Sequence, residues 1–272
     1  MWEAGLVGRM PPNVEHGIVA VEADEGGWDV FMRDLSACLL PTGARLDRAG
    51  VARVLSAVAD VHDEFWGEAF PELCSIEDRY HLLSPRTIRR ERELGNSADA
   101  LTAGWEAFAE HVPAEIAAVM LPLIEDPTPL ADLLRTCEQT LIHGDLRLDN
   151  LGFTDDGIVL LDWGSMTGMA PPAVEFMWFL GFDALRMDCT REEVIADFLA
   201  LYGDGVDERA MDLAVVGGFV HLGCHLGLGM LGRSPTMSHL PGDQAAKRAA
   251  ADAELWWWLR AVDTALERIS LA

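Results

Sequence analysis

His143-Gly144-Asp145-Leu146-Arg147-Leu148-Asp149-Asn150, followed beyond a turn by Leu160-Leu161-Asp162-Trp163-Gly164, is the stretch on which the reading of this chain rests. Short apolar runs, Thr140-Leu141-Ile142 and Ile158-Val159-Leu160-Leu161, flank it, and Asp155-Asp156-Gly157 supplies a turn. A loop from Asp145 to Asn150, then a hairpin of Leu151 to Phe153 with Ile158 to Leu161, would bring Asp162 back beside Asn150. Phosphoryl transfer asks for this set of side chains. One carboxylate orients the attacking hydroxyl and takes its proton. A few oxygen ligands hold magnesium, whose shell is completed by phosphate and water. Asp145 fits the base, and Asn150 and Asp162 fit the metal ligands.

Outward from this segment the chain reads as mostly helical. Upstream, Val51, Val54, Leu55, Val58 and Val61 recur at the spacing of one amphipathic helix. Residues 101–112 and 114–123 continue the pattern, with Pro113 at a helix start. The span between them, with Pro71, Ser84-Pro85 and Arg86 to Arg92, reads as a charged loop in which Glu91 and Glu93 face solvent. Downstream of Pro171-Pro172 the pattern predicts helices over 174–185, 191–202, 208–231 and 243–270. Trp256, Trp257 and Trp258 cannot share one helix face and are expected at more than one interface. His221 and His225 stand one helical turn apart without a nearby third ligand, which favours packing over metal binding. The first 36 residues differ: a short helix over 1–10 ends at Pro11-Pro12, and 18–22 and 28–33 form a hairpin about Asp24-Glu25-Gly26-Gly27. A division follows, residues 1–36 as a small lobe and 37–272 as a large helical one.

Charge and composition exclude several classes. The formal net charge is −25, which opposes nucleic acid and anionic lipid. The sequence shows no uninterrupted apolar run of membrane-spanning length and no secretory leader, and its five cysteines are scattered. A cytoplasmic protein with reduced thiols is the expectation. An acidic surface also suits a cationic acceptor. Lys247 is the one lysine among 20 basic residues.

The combination H-G-D-x-x-x-x-N, turn, apolar strand, D-W-G resembles the aminoglycoside phosphotransferase and choline kinase group. The resemblance implies a protein-kinase-like α+β fold with a small β lobe and a large, mostly helical C-terminal lobe. It implies Asp145 as catalytic base, Asn150 and Asp162 as Mg2+ ligands, and His143 as support for the loop. Arg147 either neutralises carboxylates there or contacts phosphate. Gly168, Pro171 and Glu175 resemble a downstream G-x-P-x-x-D element, with glutamate at the aspartate position. Val61-His62 resembles the L-H end of the family's upstream helix. Phe31, Met32, Arg33 and Leu35 resemble the last small-lobe strand and the hinge that holds a nucleotide base. Glu3 takes the place of the family's helix glutamate.

The resemblance fails at the phosphate side. The family's glycine-rich loop and strand lysine have no match, so the chain reads as N-terminally truncated. Three arrangements stay open: a start upstream of Met1, a natural truncation that binds Mg-nucleotide weakly, or a degenerate binding module without turnover. The expected function is transfer of the γ-phosphate of ATP or GTP to a hydroxyl of a small molecule, an aminoglycoside-like or other amine or sugar acceptor. The expected acceptor pocket lies among the C-terminal helices and the loop around Arg86 to Arg92, with Glu175, Asp183 and Asp188 as its acidic wall. Oligomeric state is not legible.

Overall fold

A computed structural model describes residues 1–96, 98–234, 237 and 240–269. Its strands are short and its helices carry most of the mass, as the expected α+β kinase-like architecture requires. β1 (Val14–Glu15), β6 (Ile158–Leu160) and β5 (Leu151–Phe153) form one sheet in the order β1-β6-β5. β5 and β6 are the predicted antiparallel hairpin, paired Leu151 to Leu160, and β1 joins β6 in parallel. β2 (Ile18–Asp24) and β3 (Gly27–Met32) pair as the second predicted hairpin, with Glu25-Gly26 as its turn. β4 (Thr140–Ile142) pairs with β7 (Gly168–Ala170), a strand the sequence did not announce.

Residues 1–16 lie against the large lobe. Leu6 is fully buried in the main core, Arg9 pairs with Glu64 and Glu68, and Val14 pairs with Ile158. Only a short 3-10 helix, Leu6–Arg9, forms where a helix over 1–10 was expected. Glu3 is exposed in the turn before it, so no α-helix presents this residue as a helix glutamate. The β2–β3 hairpin alone projects, and every β3 side chain is exposed.

The large lobe is built on α1 (Arg48–Glu64), capped by the Asp47 carboxylate, which accepts from the Gly50 amide. The span expected as a loop holds two helices instead, α2 (Ile76–His81) and α3 (Pro85–Glu93). Ser75 and Ser84 cap them, and Pro85 stands in the first turn, where its missing N–H costs nothing. α4 (Asp99–His111), α5 (Ala114–Glu125) and α6 (Thr128–Leu134) lead to β4. After β7 come α7 (Pro172–Asp183), α8 (Arg191–Tyr202), α9 (Glu208–Met230) and α10 (Gln244–Arg268). α8 carries a capping box of Thr190 and Glu193. The predicted end of α10 at Ser270 lies outside the described residues. Of the tryptophan triplet, Trp258 is fully buried and Trp256 is exposed.

α9 is the axis of the lobe and packs against α4, α7 and α10. It is apolar around its whole circumference, as a helix enclosed by others must be. Among the described residues it is the one helix long and apolar enough to cross a membrane, with 94% of that window buried inside the fold. Its glycines set the approach of α4. A Cβ on Gly227 would sit 1.8 Å from the Gly104 carbonyl oxygen, and one on Gly104 would sit 2.4 Å from the Cys224 carbonyl oxygen. The two backbones can touch only because neither glycine has a side chain. Gly227→Ala should destabilise the fold by about 1–3 kcal/mol through overpacking, and an unchanged urea midpoint would show that the helices separate without strain.

Candidate active site

The loop from His143 to Asn150 leaves β4 through Gly144, whose φ of 90° belongs to the left-handed region. A Cβ there would lie 2.0 Å from the Met166 carbonyl oxygen, so glycine is required twice over. The neutral His143 ring ties the loop to the strand that carries Asp162. Its Nε2–H donates to the Leu161 carbonyl at 2.8 Å, and its Nδ1 accepts from the Asp145 amide at 3.1 Å. Burial lowers the His143 pKa, against the pull of Glu175, which favours the neutral ring, and the two hydrogen bonds select its tautomer.

Asp145 sits at the loop's turn, half-buried, and three donors converge on it. Arg147 Nη2 donates to Oδ2 at 2.8 Å, Asn150 Nδ2 to Oδ2 at 3.0 Å, and Trp178 Nε1 to Oδ1 at 3.0 Å. Asn150 Nδ2 also donates to the Asp145 carbonyl, which leaves the Asn150 side-chain oxygen unused by this pair. The Leu161 amide donates to the Asn150 carbonyl at 2.9 Å, so the chain that delivers Asp162 is pinned to Asn150. Asp162 itself is exposed and holds φ at 67°, the one non-glycine residue with positive φ among those described. Such a conformation costs of order 1–3 kcal/mol and persists where surroundings impose it. An exposed carboxylate and an amide oxygen next to each other in the chain path suit a magnesium ion whose remaining ligands are phosphate and water. No cluster of three or more His, Cys, Asp or Glu able to hold a metal occurs among the described residues.

α7 holds the loop from behind at three successive points. Glu175 Oε1 accepts from the Gly144 amide at 2.7 Å, Trp178 reaches Asp145, and Asp183 Oδ2 accepts from the Leu148 amide at 2.8 Å. Positions 175, 178 and 183 share one helix face. Glu175 Oε2 accepts in turn from His62 Nε2 at 3.0 Å, and His62 Nδ1 accepts from the Tyr202 hydroxyl. Burial opposes the Glu175 charge, but His62, His143 and the Gly144 amide outweigh it and hold its pKa below the usual range. Arg79 completes the support. It is fully buried on α2, donates from Nη1 to the Gly144 carbonyl at 2.6 Å, and lies 5.3 Å from the Trp178 ring centre.

Beside Asp145 opens a cavity of about 330 Å3, lined by Asp145, Arg147, Asp149 and Asp183 and by apolar side chains from the α2–α3 link, α4, α7 and α9. Of the expected acidic wall only Asp183 lines this cavity. Glu175 lies behind the loop, fully buried and bonded to His62, and Asp188 is exposed and paired with Arg45. Asp183 does line the cavity, but it is tied to Arg186. Nor does the stretch Arg86 to Arg92 line it: α3 turns those residues away, and Leu82 and Leu83 before it take their place. On the other side, Met32 and Leu35 approach Leu161 around Gly17, where a Cβ would lie 3.2, 3.0 and 3.6 Å from their side chains. Phe31 is 47% exposed, and Arg33 points to Glu15 in an exposed ion pair. His221 and His225 are wall residues: His221 packs on Trp178 and Tyr80, and His225 on Phe182. Trp178 and Arg79 escaped the sequence reading. The signal for Trp178 was its place one turn after Glu175; for Arg79, inside an unrecognised helix, there was none.

A carboxylate held by three donors in an H-G-D-x-x-x-x-N loop, beside a D-W-G strand end and between a hairpin and a helical lobe, defines a kinase-like phosphotransferase. The profile of the phosphotransferase enzyme family, APH, matches residues 39–213, and the chain belongs to that family. Similar solved structures include a spectinomycin phosphotransferase in complex with ADP and spectinomycin, with 12% identity over 96% of this chain and 80% of that one, at a TM-score of 0.50. LicA in complex with AMP is 14% identical over 94% and 77% at 0.50. The choline kinase LicA from Streptococcus pneumoniae is 13% identical over 95% and 79% at 0.49. None of the curated proteins matches the chain in sequence.

Glu175→Leu would leave the His62 N–H and the Gly144 amide buried without a partner, about 1–3 kcal/mol each. A chemical-denaturation loss below 1 kcal/mol, the low end of that range, would remove Glu175 as the anchor. A second check is pH. His225, buried and near Arg147, has its pKa lowered to about 4. The unfolded chain takes up that proton near the ordinary value of about 6.5, so the native state loses stability as pH falls from there towards 4. His225→Leu should lose less stability than the parent between neutral pH and mildly acidic pH, measured as paired urea midpoints.

Proposed function

We propose that this chain transfers the γ-phosphate of a nucleoside triphosphate, ATP or GTP, to a hydroxyl of a small molecule. The observation that carries this reading is the triple donation to Asp145 from Arg147, Asn150 and Trp178 at the mouth of a cavity. The donors hold the carboxylate in one orientation towards a bound hydroxyl. In the step, the hydroxyl oxygen forms a bond to the γ-phosphorus, the bond to the bridging oxygen breaks, and the proton passes to Asp145. Asn150 and Asp162 are the residues that would hold Mg2+, which supplies charge neutralisation on the phosphates.

The nucleotide base would lie against Met32 and Leu35, whose side chains gather with that of Leu161, one residue before Asp162, around Gly17. In this reading residues 1–36 form the nucleotide side and 37–272 the catalytic and acceptor side. Arg147 belongs to Asp145 as an ion pair and neutralises a carboxylate, which leaves the phosphates without its charge. Family membership and the fold support a phosphotransferase in general; the phosphate donor, the metal and the roles of individual residues are proposed from geometry.

Asp145→Asn keeps the size and two of the three hydrogen-bonding positions but cannot take the proton. Phosphate transfer, followed as nucleoside diphosphate release dependent on an acceptor, should fall by about 10²–10⁴-fold. Turnover within about tenfold of the parent, only about 1.4 kcal/mol of barrier, would remove Asp145 as base.

A further inference from the structure

The cavity at Asp145 is small, and each of its three carboxylates is already paired, two of them with the same guanidinium. At about 330 Å3 it stands at the lower end of ligand pockets, which span roughly 300–1,000 Å3. Three carboxylates reach it, and each has a protein partner. Asp145 is paired with Arg147 at 2.7 Å, Asp149 with Arg186 at 2.9 Å, and Asp183 with Arg186 at 3.1 Å and with the Leu148 amide. Burial additionally pushes the Asp183 pKa up to about 6. An ammonium group entering here would lose its hydration and find no unpaired carboxylate among the lining residues.

Aromatic faces are the other common home for an organic cation, and here they are taken. Arg79 lies 5.3 Å from the Trp178 ring centre, and Arg147 5.5 Å from that of Phe182. The two rings stand 4.4 Å apart, with His221 against Trp178 at 4.4 Å and His225 against Phe182 at 4.5 Å. Two protein cations already use the attraction that a ligand cation would need. The rest of the wall is apolar: Leu82, Leu83, Leu101, Met166, Cys224 and Leu228. The chain's net charge of −25 does not reverse this, because exposed charges are screened over about 8 Å at physiological salt whereas the cavity's own pairs are in contact.

We infer that the acceptor is a compact, uncharged, largely hydrophobic alcohol, with its hydroxyl at Asp145 and its hydrocarbon body between Phe182 and the leucines of the α2–α3 link, α4 and α9. The inference rests on the phosphotransferase reading for the role of the hydroxyl, but the recognition it describes is independent of turnover.

A matched pair of probes isolates charge from shape: choline, and its carbon isostere in which a tert-butyl group replaces trimethylammonium. Binding to the full chain is followed by saturation-transfer NMR without nucleotide, with kanamycin as a polycation and cyclohexylethanol as a larger neutral alcohol. The isostere should bind at least about tenfold more tightly than choline, the factor given by about 1.4 kcal/mol, and Phe182→Ala should weaken it. Leu101→Glu, which adds an unpaired carboxylate to the wall, should narrow or reverse the preference. Choline or kanamycin binding as tightly as the isostere would overturn the inference, and so would failure of both neutral alcohols to bind at millimolar concentration. Transfer is measured separately. A neutral alcohol that binds but is not phosphorylated removes the phosphotransferase reading and keeps the ligand class, whereas phosphorylation of choline or kanamycin in preference to the neutral alcohols does the opposite.

Discussion

A single buried carboxylate, that of Glu175, holds the site together. One oxygen takes the Gly144 amide and the other the His62 ring, so α7, α1 and the loop that carries Asp145 meet on one side chain. Behind His62 stands the Tyr202 hydroxyl from α8. A buried charge is costly unless every lone pair finds a donor, and here the donors come from distant parts of the chain. The loop can therefore take its shape only when α1, α7 and α8 are assembled. α7 then adds two further grips at the pitch of its own helix, Trp178 on Asp145 and Asp183 on the Leu148 amide. Local loop geometry and global packing become one condition.

How much of this was legible in the residues varied with the range of the interaction. The motif from His143 to Gly164 is local, and its hairpin formed in the register that the apolar runs imply. The long helices 191–202 and 208–230 end within one residue of their expected bounds. The stretch 71–95 was read as a loop because its charge masks two short helices. Yet Ser75 and Ser84-Pro85 carried their start signals in plain view. Glu175 and Asp188 were read as pocket carboxylates, and Glu3 as a helix glutamate. A carboxylate's surroundings are set by tertiary partners, and nothing within a few residues of Glu175 announces His62. The helix face shared by Glu175, Trp178 and Asp183 was available from spacing alone, once α7 was known to cross behind the loop.

Glycine and bulk are traded across α9 in a way that shapes the cavity. The close approach of α4 at Gly104 and Gly227 brings Leu101 and Leu228 to the same wall as Phe182. On the opposite side of α9, a Cβ on Gly218 would lie 2.8 Å from the Trp258 ring, which itself is fully buried. A helix squeezed from both sides has little freedom to shift, because packed interiors have few voids to move into. Widening the cavity for a larger acceptor therefore cannot be done by sliding α9; it would need smaller side chains at the wall itself.

The near-absence of lysine bears on how so acidic a chain builds a site of paired charge. The guanidinium is a planar fork with five donors and is more weakly hydrated than an ammonium. Arg186 reaches Asp149 and Asp183 together, Arg48 reaches Glu193 and Asp197, and Arg9 reaches Glu64 and Glu68. Each cation thus settles two carboxylates, which stretches 20 basic residues against 45 acidic ones. The exposed forks contribute little individually, since such pairs are worth at most about 1 kcal/mol. Arg186 is different, because it is fully buried beside Asp183. A lysine there would present a more strongly hydrated point charge, without the fixed geometry by which Nε meets the Ala44 carbonyl while Nη1 meets both carboxylates. Arg186 holds the two cavity carboxylates together because its Nη1 serves both of them, and the same pairing opposes their use by a cationic ligand.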